Sequence, residues 1–352
     1  MTRVDRLDKL EQIVGRKKKV LILTHNNPDP DGIAAGWALS YLFKERFRVG
    51  SALVYGGMIT RAENRTMVRL LNIPIRPVEM VSIHNFTVVA LVDTQPGTGN
   101  NALPLSINPA IVIDHHSLRK ASQKVEFADV RPHYGSCSTM VTEYLIQAGL
   151  SIKKKLATAL YYGIKSDTQD LGRDATEADH AATIRLYSSV QQRILSQIEY
   201  PELSRNYCTL FDQALHDATI WGDVILCDLG FLVSPDMVPL MADFFLRIAG
   251  IRWSFVMGLF DERVIFSLRT TRRNQNAGLT ARRLVRGLGQ AGGHDAIAGG
   301  QVSIKGLTGE NQERVRRNLR NRFLRIVGRA NAKGEKLVPP HGGRSPNWES
   351  PS

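Results

Sequence analysis

Three short apolar runs in the first third of the chain each end in aspartate or histidine. VLILT (Val20–Thr24) leads straight into His25, Asp29 and Asp31. VVALVD closes on Asp93, and AIVIDHH closes on Asp114, His115 and His116. Continuous runs of this length, rich in valine and isoleucine, read as strands buried on both faces. Helical stretches separate them, among them IAAGWALSYLFKERF (Ile33–Phe47) and AENRTMVRLLNI (Ala62–Ile73). The alternation predicts an α/β fold with a mostly parallel sheet flanked by helices. In such a sheet the carboxyl ends of the strands border the crevice where ligands bind. The three runs would therefore deliver their acids and imidazoles to one place.

One aspartate at a strand end is ordinarily a turn residue or a helix N-cap, and THNNPDPDG (Thr24–Gly32) has the composition of a tight turn. Three strands ending alike call for more. Carboxylates brought together without a counter-charge raise one another's pKa and cost stability. Divalent cations remove the conflict, and the candidate ligands outnumber one octahedral shell, so two ions are expected. Oxygen and imidazole donors without thiolate suit Mn²⁺ or a similar ion better than structural zinc.

The remaining sequence narrows the class. No apolar run reaches the roughly 18 residues a membrane span needs, and the first residues lack a secretory h-region, so a cytoplasmic protein with no membrane partner is expected. Cys137, Cys208 and Cys227 form no CxxC pair, and they read as packing residues. The formal charge of +13 favours polyanionic partners such as nucleotides or nucleic acid. Much of it lies in Arg269–Arg286 and in Arg314–Arg329, and the second of these runs also reads as a solvated helix face. After a polar helical stretch, further strand candidates begin near Trp221: WGDVILCDLG, WSFVMGLFDE and RVIFSLRTT. The division expected is a catalytic domain over 1–190, a helical connector over 191–220, a smaller α/β domain over 221–330 and a disordered tail over 331–352.

The motifs together resemble the DHH phosphoesterase superfamily. IDHHS (Ile113–Ser117) carries the Asp-His-His triplet, HNNPDPD (His25–Asp31) is similar to the first motif, and LVDT (Leu91–Thr94) to the second. GSCSTMVTEYL (Gly135–Leu145) resembles the helix after the triplet, and GIKSDTQDLGR (Gly163–Arg173) the motif that adds a further aspartate. SLRT (Ser267–Thr270) and GGHDAIAGG (Gly292–Gly300) resemble the DHH-associated C-terminal domain.

The resemblance implies one Mn²⁺ on His25, Asp29 and Asp93, and a second on Asp31, Asp93, His115 and Asp167, with Asp93 bridging. It implies that His116 faces the scissile phosphate and that Asp114 orients a histidine. It places a substrate phosphate on Arg269, Gly292, Gly293 and His294, the glycines forming a turn at a helix start, with the active site in an interdomain cleft. Without a further nucleic-acid-binding domain, the plan looks like the nanoRNase/pAp phosphatase branch. Such enzymes hydrolyse very short RNA and 3′-phosphoadenosine 5′-phosphate, and a homodimer is common among them. The alternatives are a cyclic or linear dinucleotide phosphodiesterase, a RecJ-like single-strand exonuclease, a manganese pyrophosphatase, and a nucleotide- or RNA-binding protein without catalysis.

Overall fold

The computed structural model describes residues 3–15, 18–59, 61–203, 205–272, 275–293 and 296–339. The chain divides between Glu202 and Leu203 into two compact units.

The first unit holds strands β1 (Val20–Leu23), β2 (Ser51–Tyr55), β3 (Ile75–Pro77), β4 (Val88–Val92), β5 (Ile111–Asp114) and β6 (Phe127–Val130). Its helices are α1 (Arg3–Val14), α2 (Pro30–Phe47), α3 (Ala62–Leu71), α4 (Cys137–Gln147), α5 (Lys154–Asp167), α6 (Glu177–Tyr187) and α7 (Gln192–Glu199). All six strands are parallel, in the order β3-β2-β1-β4-β5-β6. Every residue of β1, β4 and β5 is buried, which is why these runs show no polar alternation. The order reverses between β1 and β4, so the crevice at the switch point opens where those two strands end. α2 begins three residues before the predicted Ile33, because Pro30 suits the first helical position and Asp29 caps it by accepting from Gly32 N at 3.0 Å. Asp31 thus lies in the first helical turn, not on a loop.

The second unit contains α8 (Arg205–Asp217), β7 (Thr219–Trp221), β8 (Val224–Phe231), α9 (Met237–Leu246), β9 (Trp253–Phe260) and β10 (Arg263–Thr270). It continues with α10 (Ala277–Leu284), β11 (Gly289–Gly293), β12 (Ile297–Ser303), α11 (Gly309–Ile326) and β13 (Glu335–Lys336). Its seven strands form one mixed sheet, ordered β11-β12-β10-β9-β8-β7-β13. The segment read as a connector is shared: α7 buries Leu195 and Ile198 in the first core, while Ala214 of α8 belongs to the second unit.

Two expectations change here. The glycine-rich run does not open a helix: Gly289–Gly293 pairs antiparallel with Ile297–Ser303 as a hairpin at the sheet edge. The ladder from β10 to β12, Ser267 opposite Gly299 among its pairs, holds it extended. The residues expected in a disordered tail include Glu335 and Lys336, which pair with Ile220 and Thr219. Residues 340–352 of that tail, and His294, lie outside the described residues. No helix among the described residues is long and apolar enough to cross a membrane.

Candidate metal centre

Every first-unit metal ligand expected from the sequence meets at the ends of β1, β4 and β5 and at the facing helix ends. The ligand atoms of His25, Asp29 and Asp93 lie within 4.8 Å of one another, as do those of Asp31, His115 and Asp167. Ligands about 2.1 Å from an octahedral ion sit about 3 Å apart when adjacent and about 4 Å when opposite, so each trio has the size of a coordination shell.

Asp93 belongs to both sides. Its Oδ2 is 3.4 Å from His25 Nε2, and its Oδ1 is 3.5 Å from His115 Nε2. The residue follows β4 with φ 59°, a left-handed conformation that is costly for most side chains and tolerated by aspartate. It turns the carboxylate between the two groups. Gly32 permits the approach, since a Cβ there would stand 3.1 Å from Asp93 Oδ2.

Both histidines are set for ligation. His25 Nδ1 lies 2.9 Å from Asn26 O, and His115 Nδ1 lies 3.1 Å from Tyr134 O. Donation to these carbonyls puts the proton on Nδ1 and turns Nε2 into the cluster. Asp31 is held by the start of α4: its two oxygens accept from Cys137 N and Ser138 N, each at 2.7 Å. Asp167, the last residue of α5, reaches His115 Nε2 at 3.1 Å.

The acids and imidazoles of the cluster shift one another's pKa. Burial, followed by the charges of Asp93 and Asp167, holds the Asp31 carboxyl well above the carboxylate range. Burial likewise raises Asp93, partly offset by His25. Burial opposes a charged ring at His25, yet hydrogen bonds and charge from Asp29 and Asp93 outweigh it and raise its pKa well above the usual value. His115 is raised in the same way by Asp167, Asp93 and Asp31 against its burial. Acids and imidazoles therefore share protons, which divalent cations would displace. The oxygen and imidazole donors fit two Mn²⁺ or Mg²⁺-like ions.

His116 stands beside the trios, its Nδ1 2.9 Å from Asp114 Oδ1. Burial pushes Asp114 up, but the hydrogen bond to His116 and the charges of His116 and His115 together outweigh it and lower it, and His116 rises against its own burial through Asp114 and Asp93. Sequence reasoning missed the support behind this pair. Gln95 is buried and donates to Asp114 Oδ2 at 2.5 Å, while its Oε1 accepts from Arg119 N at 2.8 Å and Ser122 Oγ at 2.7 Å. Its signal was position, two residues past Asp93 at the same strand end. Cys137 was read as packing; it is buried, and its Sγ also approaches Asp93 Oδ1 at 3.6 Å. Burial and the neighbouring carboxylates raise its pKa and keep it a neutral thiol. Cys208, in contrast, is exposed.

The expected phosphate anchor is occupied by partners from its own unit. Arg269 is buried, its Nε donates to Asp243, and its Nη1 donates to Ser267 Oγ at 2.6 Å and Leu268 O at 3.0 Å. Gly292 and Gly293 lie on β11, and Gly293 has φ 139° with no room for a side chain, since a Cβ would meet Ile297 O at 2.4 Å.

Known proteins resemble the unit that holds this centre. Residues 19–164 match the DHH family, N-terminal domain. An uncharacterized protein of Methanocaldococcus jannaschii, MJ1633, is 34% identical over 330 residues, covering 92% of this chain and 66% of that protein. A probable manganese-dependent inorganic pyrophosphatase of Streptococcus agalactiae is 28% identical over 167 residues, 46% of this chain and 51% of the relative. The chain thus spans about half to two thirds of the length of these relatives. The crystal structure of an exopolyphosphatase-related protein from Bacteroides fragilis superposes with TM-score 0.73 at 17% identity, covering 93% of this chain and all of the other. The motifs and the parallel sheet that gathers them lie in the matched segment, and residues 19–164 belong to the DHH family as its N-terminal domain.

Proposed function

We propose that this chain is a two-metal phosphoesterase that hydrolyses short oligoribonucleotides to mononucleotides and dephosphorylates 3′-phosphoadenosine 5′-phosphate. The observation that carries the hydrolytic reading is Asp93, whose two oxygens face separate ligand trios. His25, Asp29 and Asp93 would hold one Mn²⁺, and Asp31, Asp93, His115 and Asp167 the other. Two such ions would supply a water acidified towards neutral pH and would neutralise charge on the phosphoryl oxygens. The streptococcal relative, named as manganese-dependent, supports the choice of ion.

His116 serves the reacting phosphate. Asp114 fixes its Nδ1 proton and favours the imidazolium, so Nε2 can donate to the oxygen that leaves as the P–O bond breaks. Gln95 keeps Asp114 pointed at His116. Gln95→Ala should lower kcat about 10- to 100-fold while the manganese content of the purified protein stays constant. A fall in metal content of the same size would instead make Gln95 a support of the ligand loop.

Recognition of a substrate phosphate is assigned, on the second unit, to Arg269, Gly292, Gly293 and His294. Arg269 would have to exchange Asp243, which is half-exposed, for the incoming phosphate. Arg269→Ala should raise KM for 5′-phosphorylated oligonucleotides several-fold and leave their unphosphorylated forms unaffected. Equal losses on both would make Arg269 a brace between β10 and α9.

The deciding experiment is Mn²⁺-dependent release of mononucleotide or phosphate from a panel. It comprises 5′-phosphorylated RNA from dinucleotide upward, 3′-phosphoadenosine 5′-phosphate, a cyclic dinucleotide, long single-stranded DNA and inorganic pyrophosphate. Turnover concentrated on the shortest RNAs and the bisphosphate upholds the proposal. Turnover confined to pyrophosphate, the reading favoured by the streptococcal match, overturns it.

A further inference from the structure

α11 presents an arginine stripe that nothing in the metal centre uses. Its apolar positions Val315, Leu319, Phe323 and Ile326 pack into the core of the second unit. The face turned away carries Glu310, Arg314, Arg317, Asn318, Asn321 and Arg325, whose side chains, all from this one helix, flank an open groove of about 400 Å³. These positions follow helical spacing, so the groove is continuous along the axis. From Arg314 to Arg325 it runs about 16 Å at the α-helical rise.

The arginines on this face outnumber its one acid, Glu310. Arg316, at the edge of the packed face, is held by Asp228 at 2.8 Å and by Glu313. Arg314, Arg317 and Arg325 make no ion pair among the described residues; Arg325 Nε reaches only Asn321 O, at 3.3 Å. Arg314 and Arg317 sit one turn apart, a like-charge pair that weakens a helix. Arginine forks grip phosphate oxygens in pairs, and the two asparagines add the neutral donors and acceptors typical of contacts to phosphate and sugar. The groove has no aromatic residue to stack on a base. A membrane surface fits less well, because a helix that lies on lipid needs its apolar face for the bilayer, and here that face is in the core.

We infer that the α11 groove is a secondary binding surface for the phosphodiester backbone of a nucleic-acid strand, read without regard to base sequence. The inference does not rest on the hydrolytic reading, because binding and turnover are measured separately.

The test is fluorescence anisotropy of the full chain, loaded with Mn²⁺, against labelled phosphorothioate-linked single strands of RNA and of DNA, titrated over a series of salt concentrations. A triple variant with Arg314→Gln, Arg317→Gln and Arg325→Gln should weaken binding about tenfold or more. It should also flatten the slope of log affinity against log salt by about 2, since each phosphate contact on a single strand contributes roughly 0.7. The corresponding triple lysine variant should keep the slope, and turnover of a dinucleotide should be unchanged in both. An unchanged slope in the glutamine variant overturns the inference. So does binding of vesicles containing anionic lipid when neither strand binds, or a loss of dinucleotide turnover parallel to the loss of affinity.

Discussion

Asp93→Ala should reduce phosphoester hydrolysis by about 10³- to 10⁴-fold, the several kcal/mol that metal-ion stabilisation of a transition state supplies. The reason is its position: one oxygen faces His25 and the other faces His115. Loss of an ordinary ligand would weaken one ion, whereas loss of this one weakens both. Manganese bound per chain should therefore fall from about two to one or fewer, measured by elemental analysis after gel filtration. Asp93→Asn is the control for backbone strain, since asparagine also tolerates the left-handed conformation at φ 59°. It should keep the fold and still lose activity. Substantial turnover, with two ions retained, in either variant would refute the bridging role.

Asp31→Ala should be the most damaging change overall, because it removes a metal ligand and a helix cap together. Its carboxylate is the acceptor for Cys137 N and Ser138 N at the start of α4. Without it, two buried donors lose their partner, at about 1–3 kcal/mol each. Relief of repulsion from Asp93 and Asp167, which already raises the Asp31 pKa, offsets part of that. A net loss of about 1–3 kcal/mol in chelator is expected, together with loss of hydrolysis. Asp31→Asn keeps one acceptor oxygen and sheds the charge. One of the two N–H groups then faces the amide NH2, so the stability of this variant in chelator should fall between that of Asp31→Ala and that of the parent, with relief of the repulsion offsetting part of the loss, while its activity is lost.

Denaturant titrations at several pH values distinguish the two contributions. In chelator, His25, His115 and Asp31 all have folded pKa values raised above their unfolded ones. Stability from such groups is present at lower pH; it declines as pH rises from about 3.8 for Asp31 and from about 6.5 for the two histidines, their ordinary values. Asp31→Asn should flatten that decline, and saturating Mn²⁺ should abolish it. Equal destabilisation by alanine and asparagine would show that the carboxylate does not cap α4.

How much of the centre is legible in the linear chain follows from what a parallel sheet does to its strands. VLIL, VVALV and IVID are buried on both faces and so carry no polar alternation, and their order imposes which ends converge. The acids that follow Leu23, Val92 and Ile113 are then gathered by topology alone. Asp167 was legible only through the resemblance of its motif, since it ends a helix and follows no strand. β3 and β6 went unread because they are short and only partly buried.

Local pattern determines which residues can reach the centre: apolar runs ended by acids, prolines that start α2, and a glycine where a side chain would collide with Asp93. Tertiary structure alone decides what those residues then face. That Gln95 supports Asp114, that the Cys137 thiol turns to Asp93, and that Arg269 is taken up by Asp243 depend on neighbours far away in sequence. The glycine-rich run makes the same point, for its composition permits a turn or a strand equally. It is the hydrogen-bonded ladder beside β12 that selects the extended form. Backbone propensity and burial act over a few residues and can be read from them, whereas pairing of charges and of strands is settled only when distant segments meet.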